Sequence, residues 1–203
     1  MKQIFIIGGM GAGKSTARKA LVDEGLPFID LDKVGHDVLT WDTVKDDLRE
    51  AFGDDIFDED GEVVRRKLAA KAFMTPADTR KLNRLTISRI DDAFTQRIAD
   101  LEAQGVEAVV VEQSVFKSRQ MSLAYNADVV IAVLAKLETR IARAVAAGWD
   151  EDDVRRRIAR QITDAQRLEA ADVVFNNDGT PDELRNQVVS WWHDYRARGY
   201  KLA

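Results

Sequence analysis

Gly8-Gly9-Met10-Gly11-Ala12-Gly13-Lys14-Ser15 satisfies the pattern G-x-x-x-x-G-K-[ST], and no other feature of this chain narrows its fold as much. Glycines at these spacings let the backbone curl until successive N–H groups converge on one anion. The helix that follows adds the positive end of its dipole. Such a loop belongs between a buried strand and a helix, and the sequence supplies both. The apolar run Ile4-Phe5-Ile6-Ile7 precedes it, and a helical stretch runs from Lys14 to about Glu24, stopping at Gly25. The motif reads as a phosphate-binding P-loop in which Gly11, Ala12, Gly13, Lys14, Ser15 and Thr16 hold the phosphates of a nucleotide. In that reading Lys14 bridges the β- and γ-phosphates, and the Ser15 hydroxyl ligates Mg²⁺.

Further strands are expected at Pro27-Phe28-Ile29-Asp30, Val109-Val110-Val111, Val129 to Leu134, and Val173-Val174-Phe175. Between the second and third, Thr75 reads as the N-cap and Pro76 as the first residue of a long helix. Leu82, Leu85, Ile90, Phe94, Ile98 and Leu101 keep helical spacing up to Gly105. Thr180-Pro181-Asp182-Glu183 is a capping box that opens a last helix, whose stripe of Leu184, Val188, Trp191, Trp192 and Tyr195 is expected to pack into the core. Alternating apolar strands and helices imply an α/β fold, a parallel sheet of the P-loop NTPase type flanked by helices. The expectation is one domain over 1–203.

Composition narrows the function. Lys and Arg number 30 against 35 Asp and Glu, a net charge of −5, so a nucleic-acid partner is not suggested. The chain has no cysteine and two histidines, which excludes disulfides, thiolate zinc sites and a cysteine nucleophile. Its apolar runs are too short for a membrane span or a signal peptide, so a cytoplasmic protein is expected. A GTPase would carry N-K-x-D, which this sequence lacks. A small acidic kinase fits better than a helicase or transporter ATPase.

Asp30-Leu31-Asp32 follows the second strand, at the edge of a parallel sheet where ligands bind. One of the two aspartates is placed to orient an acceptor hydroxyl and take its proton. Asp32 is also placed as a helix N-cap, which is the competing structural role. Arg140, Arg143, Arg155, Arg156, Arg157 and Arg160 gather after the fourth strand, over a segment of about 136–165 that suits the helical lid of a small-molecule kinase. Arg143 is the candidate for contact with the transferring phosphoryl group. The plainer role for these arginines is helix stabilisation, since Asp152–Arg156 and Asp153–Arg157 have i,i+4 spacing. The acidic run from Asp54 to Asp60 lacks calcium-loop spacing and reads as a solvated loop.

The motifs taken in order resemble those of dephospho-CoA kinases. That family pairs a GGIGSGKST-like P-loop with a strand ending D-x-D and continuing K-x-x-H-x-V-L, matched here by Gly8 to Thr16 and by Asp30 to Leu39. Phe52-Gly53, Ile56, Gly61, Arg65, Leu68-Ala69 and Phe73 match a further family stretch. Arg157-Ile158 with Gln161, and Ala171-Asp172 through Asn177-Asp178-Gly179, match two more near the end. The resemblance implies transfer of the ATP γ-phosphoryl to the ribose 3′-hydroxyl of dephospho-CoA, with Lys14, Asp32 and Arg143 catalytic. It also implies that Asp30 and Arg65 contact the acceptor, and that about 33–105 forms a helical acceptor-side insertion. His36 falls where the family often has histidine; a helix-surface or packed position is expected for it. Three places depart from the family. Ile87-Ser88 replaces its H-P pair, Glu112-Gln113-Ser114-Val115 replaces D-x-P-L, and Arg140 and Arg143 are three apart where it shows R-x-x-x-R-D-G. The first two lie on the acceptor side, so a kinase of another nucleoside or small molecule is the second reading. A nucleotide-binding regulator without turnover is the third.

Overall fold

The computed structural model describes residues 1–121 and 123–202. The chain divides into two compact units, Met1–Leu31 with Gly105–Ala203, and Asp32–Gln104.

The first unit is built on a five-stranded sheet of β1 (Lys2–Gly8), β2 (Phe28–Asp30), β3 (Ala108–Glu112), β4 (Val129–Leu134) and β5 (Val173–Asn176). The strand order is β2-β3-β1-β4-β5 and every pairing is parallel. Strands covered on both faces must be apolar throughout, and all six residues of β4 are buried. Side chains alternate between faces. Ile4 and Ile6 therefore share a core with Ala17 and Leu21 of α1 (Lys14–Asp23) and with Leu184, Val188, Trp192 and Tyr195 of α9 (Pro181–Ala197). The aromatic stripe is core, as expected: Trp192 and Tyr195 are buried, and Trp191 stacks on Tyr195 with ring centroids 5.1 Å apart. Gly25 ends α1 in the left-handed region at φ 92°, its N–H bonded to Val22 O. The Thr180–Glu183 capping box forms at the start of α9.

Leu184 is fully buried in this core. Leu184→Ala should lower unfolding free energy by about 2–5 kcal/mol in urea titrations, the usual range for a leucine whose site cannot collapse.

The second unit is helical. It contains α2 (Leu31–Val38, starting at the boundary), α3 (Asp42–Phe52), α4 (Arg65–Ala72) and α5 (Pro76–Ala103). Val38, Val44, Leu48, Phe52, Ile56, Phe57, Leu68 and Ala72 form its own core. Thr75 caps α5 by accepting the Asp78 N–H. The Nζ atoms of Lys71 and Lys81 donate to Phe52 O and Ala51 O, 2.6 and 3.0 Å away, satisfying carbonyls that the end of α3 leaves open. The acidic run is exposed yet ordered by its partners. Asp54 pairs with Arg49, Asp55 with Lys71, and Asp58 accepts the N–H groups of Asp60 and Glu62. Sequence periodicity anticipated α5 but not the separate α3 and α4.

The segment after β4 contains α6 (Leu137–Ala146), α7 (Glu151–Ala159) and α8 (Asp164–Ala170). No helix among the described residues is long and apolar enough to cross a membrane.

Candidate active site

The phosphate loop leaves the carboxyl end of β1, the central strand, and enters α1 at Lys14. Gly11 (φ 73°) and Gly13 (φ 106°) occupy the left-handed region, where side chains are strained. The loop is closed by Ala12 N–H to Gly9 O and by the Thr16 and Ala17 N–H groups to Gly13 O, each at 3.1 Å. Lys14 is half-buried, and its Nζ turns back to donate to Gly8 O at 3.1 Å and Gly9 O at 3.5 Å. Ser15 is exposed at the start of α1. The six residues assigned to the nucleotide from sequence therefore stand together.

Asp30 ends β2 and is the register partner of Glu112 in β3. Glu112 is also the partner of Ile6 in β1, and its Oε2 lies 3.4 Å from Arg18 Nε. The Arg18 guanidinium covers the Phe28 ring at 4.3 Å. Two carboxylates thus sit side by side at the carboxyl edge of the sheet. Asp32 opens the second unit, exposed in the first turn of α2. In that unit Arg65, the first residue of α4, lies 2.8 Å from the His36 ring nitrogens, a contact the sequence did not reveal. His36 is on the helix surface, as expected.

Arg143, Arg155, Arg156 and Arg157 are bonded to groups outside the phosphate loop. Arg143 Nη1 donates to Asn177 O at 2.7 Å and its Nη2 to Gly179 O at 2.9 Å. Arg155 bonds Glu151 and Glu138, and Arg157 bonds Asp153 at 2.7 Å while lying over the Trp149 ring. Arg156 pairs with Asp153, one residue nearer than the Asp152 expected from its spacing. Arg140 is buried, its Nε donating to Met10 O at 3.0 Å. Burial pushes its guanidinium below the ordinary arginine value; Asp164 opposes that shift and Arg167 adds to it. Asn177, also buried, donates from Nδ2 to Ala12 O at 2.8 Å. Gln161 Oε1 accepts the Met10 N–H at 3.0 Å, so Arg140, Gln161 and Asn177 all touch the loop directly. The sequence patterns contained all three residues but assigned none of them a partner.

The dephospho-CoA kinase family model matches residues 3–183. The chain belongs to the dephospho-CoA kinase family. A dephospho-CoA kinase of Corynebacterium efficiens is 40% identical over 190 residues, which cover 93% of this chain and 94% of that one. Among solved structures, TT1252 from Thermus thermophilus superposes with a TM-score of 0.81 at 23% identity, covering 95% of this chain and 97% of that one. A dephospho-CoA kinase from Campylobacter jejuni gives 0.66 at 19% identity, covering 95% and 96%. These two share the fold. Family membership thus extends across both units, including the helical unit that departs from the usual motif at Ile87-Ser88.

Proposed function

We propose that this protein transfers the γ-phosphoryl group of ATP to the ribose 3′-hydroxyl of dephospho-CoA, giving coenzyme A and ADP. The observation that carries this reading is the complete P-loop within a family match spanning 3–183. The hydroxyl oxygen forms a bond to the γ-phosphorus as the bond to the β,γ-bridging oxygen breaks, and the hydroxyl proton passes to Asp32. Phosphoryl transfer needs positioning and charge neutralisation more than covalent chemistry, and the loop amides with Lys14 supply both. Nucleotide binding draws the Lys14 ammonium from the Gly8 and Gly9 carbonyls onto the β- and γ-phosphates.

The residues present suit Mg²⁺, which takes one or two protein ligands beside phosphate oxygens and water. Ser15, exposed at the start of α1, would hold it, and when bound the ion neutralises charge on the departing phosphate. Asp30 and Arg65 are assigned to the acceptor, Arg65 through its phosphates or adenine once it leaves His36. We assign residues from about 33 to 105 to acceptor binding and those from about 136 to 165 to the lid. Arg143 reaches the phosphates only by releasing both carbonyls it holds; while it holds them, it fixes the loop that carries Asn177. ATP and dephospho-CoA as substrates fit a cytoplasmic location.

The test is a coupled ADP-release assay with dephospho-CoA, adenosine, shikimate and a nucleoside monophosphate as acceptors. The expected result is the highest kcat/KM for dephospho-CoA, with a raised KM from the altered Ile87-Ser88 segment. A higher kcat/KM for any other acceptor overturns the substrate assignment and leaves the fold standing.

A further inference from the structure

Met10 stands at the apex of the P-loop, between Gly9 and Gly11, and is held in three ways. Its side chain packs with Ile158 against the small core of Ile141, Ala144 and Val154, from α6 and α7. Its carbonyl accepts from Arg140 Nε at 3.0 Å, and its N–H donates to Gln161 Oε1 at 3.0 Å. The same Gln161 oxygen accepts from Arg140 Nη2 at 3.4 Å, and Arg140 Nη1 lies 3.5 Å from Asp164. Gln161 occupies the bend between α7 and α8, half-buried, its own N–H bonded to Ile158 O.

We propose that Gln161 is a positioning residue for phosphoryl transfer: braced by Arg140, it holds the Met10 N–H and so fixes the P-loop in the shape that receives the ATP phosphates. A loop with glycines at 8, 9, 11 and 13 has a wide choice of backbone conformations, and that freedom must be given up before its amides converge on one anion. Fixing both backbone polar groups of the apex residue gives up much of it before ATP arrives, which is preorganisation. The flanking glycines fit this arrangement. Gly9 lies outside the left-handed region, yet a Cβ built on it would lie 2.0 Å from Arg140 Nη2. One built on Gly11 would lie 2.2 Å from Arg140 O. Both positions are glycine partly because Arg140 and its helix occupy the space that a side chain needs.

The proposal rests on the kinase reading for its effect on turnover but not for its effect on ATP binding, so the two fail separately. Gln161→Met keeps length and apolar bulk but removes the acceptor. Gln161→Glu keeps an oxygen at the same reach and sets its charge against Arg140. The parent and both variants are titrated calorimetrically with Mg·ATP in the absence of acceptor, then assayed with dephospho-CoA. Gln161→Met should weaken ATP binding and raise the KM for ATP by about 5- to 100-fold, the cost of leaving one part-buried donor unpaired. Its KM for dephospho-CoA should not change, and Gln161→Glu should stay within about threefold of the parent. In the parent protein, amide exchange at Met10 should be protected without any nucleotide, a reading that needs no variant. ATP affinity of Gln161→Met within threefold of the parent overturns the proposal, as does equal loss in Gln161→Glu, or unprotected exchange at Met10. ATP binding that behaves as expected, without phosphorylation of dephospho-CoA, supports the clamp and overturns the substrate reading instead.

Discussion

Lys14→Ala should lower kcat/KM by at least about 10²–10³-fold, the scale set by removing one preorganised charge-stabilising donor from a transition state. It should also weaken ATP binding. The reason is geometric as much as electrostatic. The half-buried ammonium rests on the carbonyls of Gly8 and Gly9, so it is held at the loop before any phosphate is present. Alanine removes the cation that the proposed mechanism places across the β- and γ-phosphates. The coupled ADP-release assay measures the loss, and calorimetric titration with Mg·ATP separates binding from turnover. Activity equal to the parent's would remove the kinase reading.

Asp32→Asn should leave ATP affinity within about twofold and lower kcat by about 10²–10⁴-fold, the usual contribution of a general base. The amide keeps the shape of the side chain and accepts a hydrogen bond, but it cannot take the hydroxyl proton. Because Asp32 is exposed in the first turn of α2, the change should not unfold the protein. Equal melting temperatures for the two proteins check this. A fall in kcat below tenfold would make Asp32 a helix-end residue that favours the dipole of α2. Asp30, paired in register with Glu112 at the sheet edge, would then be the base to test.

Strands β1, β3 and β4 were legible in the sequence because both of their faces are covered. An unbroken apolar run is the only pattern that suits such a site, and Val129 to Leu134 became β4 residue for residue. Helices announced by a cap were legible too, as Thr75, Thr180 and Gly25 show. Helices α3 and α4 were not, because charged residues and a 3-10 turn at Asp54–Ile56 interrupt their pattern, and their stability comes from the shared core around Leu48, Ile56 and Leu68. The phosphate loop was read from local spacing alone. Its supports were not, since a hydrogen bond between Gln161 and Met10 leaves no periodic trace in either segment. The charge cluster after β4 was visible as composition, but composition does not say which arginine is spent on a carbonyl. Arg143 and Arg157 have the same side chain and similar surroundings in sequence; one bonds the loop after β5, the other a neighbouring aspartate.

The bonds from Gln161 to Met10 and from Asn177 to Ala12 join residues 151 and 165 positions apart. Strand β1 itself can join its sheet only when residues 108–112 and 129–133 arrive beside it. Contacts this distant in sequence require large loops to close first, which makes them slow to form. During synthesis the nucleotide-binding motif therefore leaves the ribosome well before the residues that complete it. A nascent chain that has displayed the whole glycine-rich loop still lacks the strands, the glutamine and the asparagine that give it shape. Competence to bind ATP thus arises only after residue 177 has been made.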